Sequence, residues 1–175
     1  MDIYLVVKYT KLLYSKIKMC SFAEYRSYDT QFMPISLSMG QNHLFVTSQS
    51  TNQVQVFHSG KQLGVLKINK TKYFNSLRNV HTITREISAA TKPDVAHQVV
   101  VLDNTGFHFF VENGLFIYTI LEGESRQYRG LGHIHYQSKF CLVSLDVKDP
   151  NHSGVSVVII DVDKGSQAKG TILKR

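Results

Sequence analysis

The sequence predicts an all-β chain made of β-propeller blades, four antiparallel strands to a blade, in a partial, open arc of about three blades. Three observations carry that reading. After residue 30 the chain is filled with short β-branched and aromatic runs bounded by Gly, Asn, Asp and Ser, and helical periodicity is hard to find. Several runs are apolar on both faces, which suits strands held between two packed layers better than strands with one wet side. Glycine-bearing turns then recur at His58-Ser59-Gly60-Lys61, Glu112-Asn113-Gly114-Leu115 and Asp163-Lys164-Gly165-Ser166, their glycines 54 and then 51 positions apart. A β-sandwich also uses short strands at regular spacing. The repetition together with the two-faced apolarity favours stacked blades.

The elements follow in chain order. Residues 1–22, with Ile3-Tyr4-Leu5-Val6-Val7 and then Leu12, Leu13, Tyr14 and Ile17, do not fit the repeat. A helix, a strand of a preceding blade and an artefact of the chain start all stay open there, and the segment is unassigned. The propeller-like region is placed at 23–175, with blades at about 32–68, 79–122 and 129–175. Blade one reads as Pro34–Ser38, His43–Thr47, Gln53–Phe57 and Leu63–Ile68. Blade two reads as Val80–Thr84, Gln98–Leu102, Phe107–Val111 and Phe116–Leu121. Its Asn113-Gly114 dipeptide is a strong hairpin signal, because both residues tolerate positive φ. Blade three reads as Gly130–Ile134, Phe140–Leu145, Val155–Ile160 and Thr171–Leu173. The period exceeds the ~40–45 residues common for a blade, and the surplus is assigned to loops at 69–78, 86–95 and 148–154.

Composition narrows the classes further. The 175 residues are 43% apolar and 19% charged, the balance of a globular chain rather than a disordered one. No apolar run approaches the ~18 residues that cross a bilayer as a helix. The first apolar run lacks a basic stretch before it and a cleavage site after it, so no signal peptide, no membrane partner and a cytoplasmic location are expected. Cys20 and Cys141 stand 121 positions apart, which offers neither a metal motif nor a disulfide framework. Two glycosylation-type triplets, at Asn69 and Asn151, are discounted without a secretory signal. The formal charge of +7 is partly terminal. Two inner segments combine basic and aromatic residues as a binding surface would: Lys70-Thr71-Lys72-Tyr73-Phe74 with Arg78, and Arg126-Gln127-Tyr128-Arg129.

The stretch from Gln31 to Phe57 resembles an NHL repeat. A proline-led strand leads to an apolar-Val strand, a small-residue turn with Asn, a strand ending in Val-Phe and a Gly turn. Pro34, Val46, Ser48, Asn52, Val54, Val56, Phe57 and Gly60 fall at the matching places. Thr47-Ser48 stands where the family usually has Ala-Asp, and Gln53 where it usually has a basic residue. The second unit keeps an acidic turn at Asp103-Asn104-Thr105-Gly106. The third, from Arg129-Gly130-Leu131-Gly132 to Asp161, resembles the divergent blades of tripartite-motif NHL ubiquitin ligases. The resemblance covers about residues 22–175 and is most specific in the first unit. It implies a six-bladed propeller, of which three blades are present here. A half ring leaves long open edges, so the chain is expected to be part of a longer protein, a shortened reading of its gene, or half of an assembly closed by self-association. It also implies a RING, which two distant cysteines cannot build.

Catalysis is not expected. His133 and His135 would share a strand face, but zinc needs two more ligands, and nothing in the sequence brings Asp146 or Asp149 to them. Ser153 and Ser166 lack a nucleophile elbow, and no phosphate-binding glycine loop is present. Asp103 and Asp161 each follow a strong strand, where an acid more often bonds its own turn backbone. No catalytic, metal or cofactor residue is therefore assigned. What is expected is a binding module, with Lys72, Tyr73, Arg78, Arg126, Tyr128 and Arg129 as candidate contacts. The resemblance implies a protein partner, as in substrate recognition by a ubiquitin ligase, or alternatively single-stranded RNA.

Overall fold

A computed structural model describes residues 3–8, 11–18, 21–29, 32–48, 50–59, 61–68, 74–89, 92–136, 139–147, 156–162 and 171–173. The fold is all-β, with antiparallel pairing throughout the described strands. The first three strands, β1 (Ile3–Lys8), β2 (Lys11–Lys18) and β3 (Ser21–Asp29), form a three-stranded sheet in the order 1-2-3. The N-terminal segment is thus neither a helix nor a single strand, and β3 runs through residue 22, where the sequence pattern placed a division. Among the described residues no helix is long and apolar enough to cross a membrane.

Three four-stranded meanders follow. The first is β4 (Pro34–Met39), β5 (Leu44–Ser48), β6 (Gln53–His58) and β7 (Lys61–Val65). The central one is β8 (Asn79–Ala89), β9 (Lys92–Leu102), β10 (Phe107–Val111) and β11 (Phe116–Ile120). The third is β12 (Tyr128–Tyr136), β13 (Lys139–Asp146), β14 (Ser156–Asp161) and β15 (Thr171–Leu173). Each sheet pairs its strands in chain order, the simplest use of short connections.

Local chemistry explains where strands begin and end. The β10–β11 turn forms at Asn113-Gly114, as the dipeptide predicts, but only Gly114 takes positive φ, at +94°. Asn113 instead accepts the Leu115 N–H through its side chain at 3.1 Å, an Asx-type turn. The stretch 86–95, expected as loop, carries the ends of β8 and β9, paired from Glu86↔Val95 to Ala89↔Lys92. Its Pro93 and charged residues mask that pairing in the sequence. In β12 the Gly130-Leu131-Gly132 run is a bulge: register shifts between Arg129 and Gly132, and Gly130 sits at φ +68°, a conformation that favours glycine.

The central sheet is apolar on both faces. In β9, Val99 and Val101 pack with Phe45, Val54 and Phe110 against the first sheet. Val100 and Leu102, alternating with them, pack with Phe107, Leu142 and Ile160 against the third. The four-residue apolar run that looked like a doubly covered strand is one.

The sheets also meet through their first strands, β4 against β8 and β8 against β12. Small hydroxyls make this close approach favourable. Ser38 Oγ lies 2.8 Å from Thr82 Oγ1 and accepts the Thr82 N–H at 2.8 Å. Across the next seam, His81 Nε2 faces His133 Nδ1 at 2.8 Å, a contact that needs one ring neutral. Burial and the charge of His133 both lower the His81 pKa, favouring that state.

A carboxylate locks the first and central sheets at one end of their seam. Glu112, just past β10, reaches into the β4–β5 turn, where its Oε1 accepts the Asn42 and His43 N–H groups at 2.7 and 3.1 Å. Burial alone would raise its pKa, but these backbone donors outweigh that and lower it. The approach is tight at Gly40: a Cβ there would stand 2.6 Å from Glu112 Oε1, so the carboxylate would have to move off its backbone donors. Gly40→Ala should therefore lower unfolding stability by about 1–3 kcal/mol in a denaturant titration. Gly64→Ala, where a Cβ meets nothing within 4 Å, should change it by less than about 0.5 kcal/mol.

Candidate functional site

At the other end of the first strands lies a cleft of about 450 Å³ lined by Ile35, Ser76, Leu77, Arg78, Asn104 and Arg129. Ile35 belongs to β4, Ser76 to Arg78 lead into β8, and Arg129 is the second residue of β12. All three four-stranded sheets contribute, so the site exists only because their first strands converge.

Its floor is a buried network around Asp103, the residue after β9. Asp103 is fully buried and accepts the Thr105 N–H at 2.6 Å, the Gly106 N–H at 3.1 Å and the Asn75 N–H at 2.7 Å. It thus bonds its own turn backbone, as an acid after a strand tends to do. It also faces His108 Nε2 at 2.9 Å, while His108 Nδ1 meets Thr119 Oγ1 at 2.8 Å. The ionised carboxylate can only accept, so His108 Nε2–H is the donor in that contact. Burial by itself would raise the Asp103 pKa. The His108, Asn75 and Thr105 contacts outweigh it and hold the carboxyl at about 2, against an ordinary 3.8. Acid, imidazole and hydroxyl resemble a nucleophilic relay in composition, but Asp103 and His108 are sealed in the core. The arrangement braces a turn.

Arg78 spans from this floor to the third sheet. Its Nη1 donates to the Ser125 carbonyl at 2.9 Å and to the Tyr128 carbonyl at 2.8 Å, and its Nη2 donates to Asn104 Oδ1. Ser125 completes the brace, its hydroxyl donating to the Asp103 carbonyl at 2.8 Å. Arg129 approaches from the other side: its Nη1 donates to the carbonyls of Arg126 at 2.7 Å and Tyr128 at 2.9 Å. Two guanidinium groups therefore share the Tyr128 carbonyl. Burial lowers the Arg78 pKa and the nearby Arg129 charge lowers it further, with Asp103 opposing. Among the described residues, no carboxylate forms an ion pair with either arginine.

The sequence-predicted contacts divide accordingly. Arg78 and Arg129 meet at the cleft, and Arg126 is exposed beside it in a short 3-10 turn at Ser125–Gln127. Tyr128 is 0% exposed, with its ring on Phe107 at 5.5 Å between centroids. As the first residue of β12 it points into the core between sheets, so its carbonyl rather than its ring serves the site. Phe74 is likewise buried, against Phe110 and His108. Lys72 and Tyr73 lie outside the described residues, as does the side chain of His135. Sequence reasoning missed Ile35, Ser76, Leu77 and Asn104 as cleft residues. Asn104 was legible as a turn residue, but nothing in the linear pattern joins it to Arg78. Among the described residues no group of three His, Cys, Asp or Glu side chains is placed to hold a metal ion.

No protein-family model matches the chain, and a search of curated proteins returns no significant match.

Two outcomes follow from the bracing. Asp103 has a depressed folded pKa, so its contribution is complete above about pH 4 and lost as pH falls toward 2. Its size is about 2 kcal/mol. Stability curves between pH 2 and 5 should show that loss, and Asp103→Asn should flatten this part of the profile while lowering stability at pH 7. Arg78→Lys cannot reach three acceptors with one ammonium and should cost about 1–2 kcal/mol in a denaturant titration at pH 7.

Proposed function

We propose that this chain is a non-catalytic protein-interaction module, an arc of NHL-type propeller blades of the kind that recognises substrates for tripartite-motif ubiquitin ligases. The supporting architecture is three successive four-stranded meanders that stack face to face and meet through their first strands. The observation that carries the functional reading is the Arg78–Arg129 cleft. It is concave, built by three sheets at once, and holds two arginines that form no ion pair with a carboxylate among the described residues. Rigid scaffolds presenting such a site at strand ends serve recognition. Arg is also a residue type enriched where interfaces concentrate their energy.

RNA binding draws on the +7 charge, but a single-strand reader stacks bases on exposed aromatic rings. Beside this cleft the Tyr128 ring is buried, and among the described residues the lining carries no aromatic ring. The protein reading is therefore preferred.

A photo-reactive amino acid placed at Ile35, expressed in cells, should give covalent adducts that survive nuclease and disappear on protease treatment. The same group at Leu63, exposed on β7 away from the cleft, should give few. Nuclease-sensitive adducts at Ile35 would move the assignment to RNA. Equal labelling at Ile35 and Leu63 would remove the cleft from the binding surface.

A further inference from the structure

The chemistry of the cleft specifies what its occupant brings. Arg78 commits three of its five N–H groups to protein acceptors and Arg129 two. The remaining donors belong to two cations that converge on one carbonyl oxygen. That carbonyl offers a partial charge to two full positive charges. Asp103, the acid that acts on Arg78, is already saturated by His108 and three backbone N–H groups. Like charges this close repel, and an oxyanion between them removes the repulsion while gaining charge-assisted hydrogen bonds.

We propose that the cleft is a receptor for a carboxylate side chain, Asp or Glu, presented by an acidic segment of a protein partner and held between the Arg78 and Arg129 guanidinium groups. This deepens the interaction-module reading and rests on it. The carboxylate is favoured over a nucleic-acid phosphate by the apolar part of the lining. Ile35 is 37% exposed there, and Leu77 backs the cleft. An apolar wall beside a cation pair suits a methylene stem ending in a carboxylate, as in Glu. A nucleotide would place a sugar and base against that wall, where the described residues offer no aromatic ring to stack on. Asn104, held by Arg78, adds a neutral amide at the rim, which can hydrogen-bond a peptide backbone without adding charge.

The test uses the full chain and two capped hexapeptides, one of glutamate and one of glutamine, followed by NMR titration of backbone and arginine side-chain resonances at physiological salt. The glutamate peptide should bind, shift the Arg78 and Arg129 side-chain signals, and outbind the glutamine peptide by about tenfold or more. Arg129→Gln should weaken glutamate-peptide binding by about tenfold. Arg129 is chosen because Arg78 also braces the fold, and the variant's melting curve checks that it remains folded. Arg126→Gln, exposed outside the cleft, should change binding by less than about threefold. Equal binding of the two peptides, or glutamate-peptide binding that Arg129→Gln leaves unchanged, would overturn the proposal. So would tighter binding of oligouridine or inorganic phosphate than of the glutamate peptide, with shifts at the same two arginines. If the peptides fail while Ile35 still crosslinks to protein, the carboxylate assignment falls and the module reading stands. If Ile35 crosslinks to nothing, the module reading falls with it.

Discussion

The structure depends on a sheet that cannot keep either face in water. Val99, Val100, Val101 and Leu102 are consecutive and all fully buried, two pointing to each side of β9. Fully burying one such side chain is worth about 1.5–3 kcal/mol, so exposing either row would be costly for a fold of ordinary stability. The central sheet must therefore be covered twice. The first and third sheets supply that cover with Phe45 and Val54 on one side, and Leu142 and Ile160 on the other. Stacking of this kind lets repeated units share a continuous core that none could form alone.

Hydrophobic burial is non-directional, and it does not by itself fix how the sheets are rotated on one another. Polar contacts at the ends of the strands do that. Glu112 enters the β4–β5 turn at one end, and Arg78 ties β8 to the start of β12 at the other. The two locks differ in what they leave behind. Glu112 is satisfied by the backbone N–H groups it receives. Arg78 meets carbonyls and then a second cation, Arg129, which shares one of those carbonyls. The same convergence of first strands that aligns the sheets thus brings two guanidinium groups to one carbonyl at the cleft.

Much of the strand order was legible in the sequence. The two-faced apolar run at 99–102 announced a sandwiched strand, and Asn113-Gly114 announced its hairpin. Asp103 was legible as a turn acid because its position just past a strand is a local signal. The extension of β8 and β9 through 86–95 was hidden, since Pro93 and Asp94 read as breakers while the pairing is set by the partner strand. The N-terminal sheet was hidden for a related reason: β3 contains Glu24, Arg26 and Asp29 without clean alternation. At the site, the arginines were legible as residue types but their meeting was not. Arg78 and Arg129 are 51 positions apart, about one repeat, and only the stacking of sheets brings them to a common carbonyl. Tyr128 misled because an aromatic between two arginines resembles a contact residue, while its place at the start of β12 turns the ring inward.

The doubly covered central sheet holds the stack together. Native-state amide hydrogen exchange tests this most directly. The amides of Val99–Leu102 and Phe107–Phe110 should be the slowest in the chain and exchange only through global unfolding, with β7 and β15, at the sheet edges, opening earlier. Exchange of the Val99–Leu102 amides through local opening, while β5 or β13 stays protected, would contradict the account.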